Sequence, residues 1–179
     1  MGNEKTVRIG IIGCGGIANG KHMPSLRQIP GVQMVAFCDI IEERARKAKQ
    51  DYGTPDAAVY TDYRKLLEDK TIDVVHVCTP NRAHSFITVD ALHAGKHVMC
   101  EKPMAINAAE AKKMLDAAKE TGKLLTIGYQ SRQRADAQYM KKECLAGTFG
   151  DIYYAKATAI RRRAVPTWGV FLNEYEQGG

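Results

Sequence analysis

The stretch RIGIIGCGGIANGKH, residues 8–22, decides the fold. An apolar, β-branched run ends in three glycines within four residues and then turns polar, which predicts a strand handing over to a helix through a tight turn. Gly13-Cys14-Gly15-Gly16-Ile17-Ala18 fits the pattern G-x-G-x-x-G/A. Gly13 permits the turn, Gly15 lets the backbone approach a pyrophosphate with no Cβ in the way, and Ala18 keeps the helix close to the strand. Gly16 and Ile17 lie in the first turn of that helix, whose free N–H groups and partial positive charge suit phosphate. A glycine-rich turn alone is a weak signal. Asp39 strengthens it, because it closes the next apolar run, 21 residues beyond Ala18, where a carboxylate can accept hydrogen bonds from an adenosine ribose. Its charge repels a 2′-phosphate and the following Ile40 and Ile41 offer no cation, so NAD is expected over NADP. Arg44 and Arg46, on the helix beyond, are the residues that could reverse that preference.

Outward from this turn, short β-branched runs alternate with segments of helical spacing. VRIGII, VQMVAFCD, AAVYT, DVVHVCT, KHVMC and KLLTIGY are the expected strands. IIEERARKAKQDYG, DYRKLLEDK, NRAHSFITVDALHAG and NAAEAKKMLDAAKETG are the expected helices between them, with Asn81 and Asn107 as N-caps. The alternation predicts an α/β doubly wound parallel sheet over residues 1–128. It ends near Tyr129. After a further helical stretch, DIYYAKATAIRRR, residues 151–163, reads as the opening strand of a second sheet. Residues 129–179 are thus expected to be the start of an incomplete second α/β domain, and the chain reads as truncated.

The formal charge of +6 is spread among acidic residues except at Arg161 to Arg163, which argues against nucleic-acid binding. No apolar run approaches the roughly 20 residues of a membrane span. The N-terminus lacks a secretory signal, and five widely spaced cysteines contain no CxxC pair, so a cytoplasmic address is expected. His22, His76, His93 and His97 have no metal-ligand spacing and are read as structural; no metal is expected. Cys14 and Cys100 are read as small buried fillers.

Ligands of such a sheet sit beyond the carboxyl ends of its strands. VCTPNRAH places Thr79, Pro80 and Asn81 after the fourth strand, with His84 a turn into the next helix, and VMCEKPMA places Glu101, Lys102 and Pro103 after the fifth. A lysine there can stabilise an alkoxide as hydride leaves. By position alone, an ordinary surface Glu-Lys pair fits equally well.

GIIGCGGIA, VCTPNRAH, GKHVMCEKPMA and GYQSRQR, in that order, resemble the glucose-fructose oxidoreductase, inositol dehydrogenase and MocA family over nearly the whole chain. The resemblance implies a Rossmann domain followed by an α/β domain with a large open sheet, a tightly held nicotinamide cofactor, and oxidation or reduction of a sugar, polyol or related secondary alcohol. It makes Lys102 the catalytic lysine, with Glu101 beside the cofactor. Thr79, Pro80, Asn81 and His84 would line the cofactor crevice. Gln130 and Arg132 would face the substrate cleft, with Gln130 also near the cofactor, and Arg163 and Trp168 would reach the nicotinamide end. Family members run to roughly twice this length and carry an Asp and a His on a helix after a turn like that at Gly178, which this chain lacks. Homo-oligomers are expected for the full-length form. Two alternatives remain open: an NAD-using glycoside hydrolase with an internal redox cycle, and a non-catalytic NAD-binding fragment.

Overall fold

The computed structural model describes residues 6–160, 162, 167 and 169–178. Each expected apolar run forms a strand: β1 (Val7–Ile12), β2 (Val32–Cys38), β3 (Ala58–Tyr60), β4 (Val74–Val77), β5 (His97–Cys100) and β6 (Leu125–Ile127). They make one parallel sheet in the order β3-β2-β1-β4-β5-β6. The order reverses between β1 and β4, which opens a crevice at their carboxyl ends.

The helical segments are α1 (Met23–Leu26), which continues a π-helical turn at Ala18–His22, then α2 (Glu42–Tyr52), α3 (Tyr63–Glu68), α4 (Ala83–His93) and α5 (Ala108–Thr121). They cover both faces of the sheet. On one, Met23 and Leu26 of α1 and Ala45 and Ala48 of α2 pack with Ile9, Ile11, Met34 and Phe37. On the other, Leu66, Ile87, Leu92 and Met114 from α3, α4 and α5 pack with Val75, Val77 and Val98. Each such side chain removed from water contributes roughly 1.5–3 kcal/mol. The burial explains why the strands carry nearly continuous apolar runs.

Asn107 caps α5 as expected, its Oδ1 accepting from Glu110 N at 2.9 Å, and α5 stops at Gly122 with φ 64°. Asn81 does not cap α4. Arg82 holds that position without a side-chain bond, and Asn81 Nδ2 instead donates to Gln177 O at 3.3 Å.

By its contacts the chain divides into two compact units, Tyr129–Leu172 forming the second and the remainder the first. The second unit holds a 3₁₀ turn at Gln130–Gln133 and α6 (Ala135–Leu145). Of the strand expected over 151–163, the described residues 152–160 form no regular ladder, and Arg161 and Arg163 lie outside the described residues. An isolated extended segment has nothing to take its backbone hydrogen bonds, so alternation alone does not make a strand. The expected second region also loses its last residues to the first unit. A one-turn helix, α7 (Glu174–Gln177), docks there: Arg82 N donates to Glu176 O at 3.0 Å and the Arg82 guanidinium lies 3.9 Å from the centre of the Tyr175 ring. No helix among the described residues is long and apolar enough to cross a membrane.

Candidate dinucleotide site

The glycine turn leaves β1 at Gly13, whose φ is 90° and whose N–H donates to Cys38 O at 2.8 Å. A Cβ there would meet Cys78 O at 2.6 Å, so the close approach of β1 to the end of β4 requires glycine. Gly15 and Gly16 differ. A Cβ on either meets nothing within 4 Å, so their bare backbone borders open space, as a phosphate cradle requires. The turn is braced from within, Asn19 Nδ2 donating to Cys14 O at 2.6 Å and to Gly15 O at 2.9 Å. Ala18 is fully buried under the helix and Ile17 is exposed.

Asp39 stands at the end of β2, 8% exposed. Its Oδ2 accepts from Cys14 N and its Oδ1 from Ile41 N, both at 2.9 Å. The carboxylate therefore locks the glycine turn to the neighbouring strand. Each oxygen keeps a further lone pair for a ribose hydroxyl. Ile40 beside it is 90% exposed, and Arg46 pairs with Glu42 along its own helix.

Beyond β4, Thr79 Oγ1 is buried and makes no hydrogen bond to the described residues. The hydroxyl just beyond β4 thus has hydrogen-bonding capacity left unused. Pro80 and Asn81 are partly buried beside it. His84 does not line the crevice. It is 1% exposed, with Nε2 2.9 Å from Thr79 O and Nδ1 2.7 Å from Pro103 O, so it bridges the backbones of the loops after β4 and β5.

Beyond β5, Lys102 is exposed while Glu101 is 9% exposed. Glu101 faces inward: Oε1 lies 2.8 Å from His22 Nε2 and Oε2 accepts from Lys102 N at 2.9 Å. Burial acts to raise its pKa, but the His22 bond and the Lys102 N–H outweigh it and hold the carboxyl below its ordinary range. His22 Nδ1 in turn lies 3.0 Å from His76 Nδ1. His22 and His76 are thus satisfied structural histidines, as read, but the sequence did not show which partners they take, which lie 54 and 79 residues apart. One signal was present: His76 sits between Val75 and Val77 in a buried strand, where a polar side chain needs a partner.

Cys14 is buried, and its thiol is pushed up to about 12 by burial, then by Asp39 and Cys38, so it is a filler and not a reactive group. Gln130 and Arg132 lie exposed in the 3₁₀ turn of the second unit. Arg163 and Trp168 lie outside the described residues. No cluster among the described residues could hold a metal ion.

A glycine turn opening onto unfilled space, an acidic residue bonded to it from the next strand and an orphaned hydroxyl across the strand-order reversal define a Rossmann-type nucleotide-binding domain. The chain belongs to the GFO_IDH_MocA oxidoreductase family, whose NAD-binding Rossmann-fold model matches residues 7–129. It is 39% identical over 173 residues to a D-glucoside 3-dehydrogenase of Escherichia coli (strain K12), a match covering 97% of this chain and 49% of that protein. It is 35% identical to an inositol 2-dehydrogenase of Salmonella typhimurium, covering 91% and 48%. Among solved structures it resembles the WlbA dehydrogenase of Bordetella pertussis in complex with NADH and UDP-GlcNAcA, with TM-score 0.77, 28% identity and coverage of 86% and 43%. The KijD10 3-ketoreductase of Actinomadura kijaniata in complex with NADP aligns with TM-score 0.72 and 28% identity, covering 82% and 46%. The chain spans about half the length of the curated relatives it matches.

Proposed function

We propose that this chain is the cofactor-binding part of an NAD-dependent oxidoreductase acting on a secondary alcohol of a sugar or polyol. One observation carries the reading: Asp39, the glycine turn, Thr79 and Lys102 stand in that order along the carboxyl ends of adjacent strands β2, β1, β4 and β5. A dinucleotide laid across the crevice would place adenosine at Asp39 and pyrophosphate at Gly15 and Gly16. Its other half would fall between Thr79 and Lys102. Bound NAD supplies the hydride acceptor. Lys102 then holds the substrate oxygen through its ammonium and stabilises the charge that develops there, while Thr79 Oγ1 orients the ring end of the crevice. The likeness of GYQSRQR to the family's segment supports a substrate-binding role for Gln130 and Arg132. The relatives act on glucosides and inositol, which supports the substrate class. A cytoplasmic location belongs to the same reading, since the cysteines are free thiols and four of them are buried. We also assign homo-oligomeric assembly to the longer protein.

Calorimetric titration with NAD and NADP tests this. NAD is expected to bind about tenfold or more tightly than NADP, because Asp39 opposes a 2′-phosphate and Ile40 offers it no cation. Asp39→Ala should weaken NAD by roughly 10- to 100-fold and narrow the gap between the two cofactors. The narrowing matters, because Asp39 also braces Cys14 N. A loss of brace alone would weaken both ligands in proportion. Failure of the wild-type chain to bind either ligand would end the reading.

A further inference from the structure

We propose that His22 is a positioning residue for the nicotinamide end of the crevice: through Glu101 it ties the loop carrying Lys102 to the helix that follows the glycine turn. The inference rests on the dinucleotide reading and adds to it a residue outside the glycine turn and the strand-end loops.

His22 closes the π-helical turn Ala18–His22, on the pyrophosphate side of the crevice, and is 9% exposed. Glu101 begins the loop after β5 and is buried to the same degree. The carboxylate has no freedom to turn toward a ligand. His22 Nε2 at 2.8 Å engages one oxygen and Lys102 N at 2.9 Å the other. From the third side, a Cβ added at Gly128 would lie 3.3 Å from the carboxyl group, so the end of β6 walls it in. Glu101 is thus a link between backbones, and the cofactor contact expected of it falls to its neighbours.

The proton positions follow from the partners. An ionised carboxylate only accepts, so His22 carries a proton on Nε2. The two facing Nδ1 atoms, 3.0 Å apart, then share a single proton between His22 and His76, whose rings meet edge to face at 89°. Lys102 N, Glu101, His22 and His76 form one hydrogen-bonded chain from the end of β5 through the first helix to β4. Because helix and loop flank opposite halves of the dinucleotide, His22 couples the place where phosphate sits to the place where Lys102 sits. Removing His22 leaves Glu101 charged, buried and short of a partner, and the loop must move to bring water to it.

The test compares NAD with ADP-ribose, which lacks the nicotinamide, on the 179-residue chain by calorimetry. His22→Leu is expected to weaken NAD about tenfold and to leave ADP-ribose within about twofold. His22→Gln places an amide N–H near the position of Nε2 and is expected to recover most of the NAD affinity. Equal weakening of both ligands, no weakening of either, or a His22→Gln variant no better than His22→Leu would each overturn the proposal. If His22→Leu does not fold, Glu101→Gln, which keeps the shape and removes the charge, must show the same split between the ligands. Wild-type chain that binds neither ligand defeats the dinucleotide reading and this proposal with it. A wild-type chain that binds both, with no split in the variants, defeats this proposal alone.

Discussion

Gly13→Ala is expected to destabilise the nucleotide-binding unit by roughly 3–5 kcal/mol, whereas Gly15→Ala leaves stability unchanged and weakens NAD by about 10- to 100-fold. The two glycines stand two residues apart in one motif and do different things. At Gly13 the backbone has φ 90°, which an L side chain adopts only under strain, and the new Cβ would lie 2.6 Å from Cys78 O and 2.7 Å from Cys78 C. These atoms are main chain at the end of β4, so β1 and β4 would have to part where Cys78 N donates to Ile12 O at 2.7 Å. Against a total stability of about 5–15 kcal/mol, that loss is severe. At Gly15 an added Cβ meets nothing within 4 Å and φ is ordinary, so the folded chain accommodates it. The methyl would occupy the space a pyrophosphate needs and hold it off the turn's N–H groups. Urea unfolding and calorimetric titration of the two variants separate these roles. A Gly15→Ala chain that unfolds as easily as Gly13→Ala, or one that binds NAD as wild type does, would contradict the assignment.

The sheet was legible because its information is local. The strands are short runs rich in β-branched and apolar residues, most deeply buried in β1 and β2 and only partly buried at the edge strands β3 and β6, and the helices between them carry recognisable caps, such as Asn107 and Gly122. What failed was of the opposite kind. The alternating stretch 151–163 has the pattern of a strand, but a strand exists only by pairing, and residues 152–160 pair with no strand among the described residues. Asn81 has the chemistry of an N-cap, yet its amide is drawn to Gln177 O, 96 residues away, a contact that no local rule foresees.

The site divides in the same way. Gly13, Gly15, Ala18 and Asp39 were readable because strand, turn and helix fix their relation within a single βαβ unit. His84 and Glu101 were identified by their place after strand ends, but their orientation was not readable. Both turn inward, His84 to the carbonyls of Thr79 and Pro103, and Glu101 to His22. Position after a strand predicts proximity to the crevice. Whether a side chain faces the ligand or the neighbouring loop depends on contacts made across the sheet, and those became visible only with the fold in hand.

Acid should weaken the fold through His76 well before the carboxylates protonate. Burial, helped by the nearby His22, lowers the His76 pKa from an ordinary 6.5 to about 4. The unfolded chain takes up this proton as the pH falls past 6.5, while the folded chain refuses it until about 4. The stability that depends on neutral His76 is therefore complete above 6.5 and drains away through that interval, amounting to about 3 kcal/mol in all. Glu101 enters later. Its pKa also lies below its ordinary 4.5, so its contribution is lost only under more acidic conditions, and a loss seen above pH 5 belongs to histidine. Urea unfolding at pH 7.5 and 4.5 is expected to show wild type losing about 2–3 kcal/mol more than His76→Gln, which carries no titrating group at that position. The variant begins less stable at neutral pH, because Gln fills the space beside His22 less well than a ring, and the two chains should converge as the pH falls. Parallel losses in the two chains would mean that His76 takes up its proton as readily folded as unfolded, and the hydrogen-bonded chain from β4 to Lys102 would then hold a charged imidazole at its inner end.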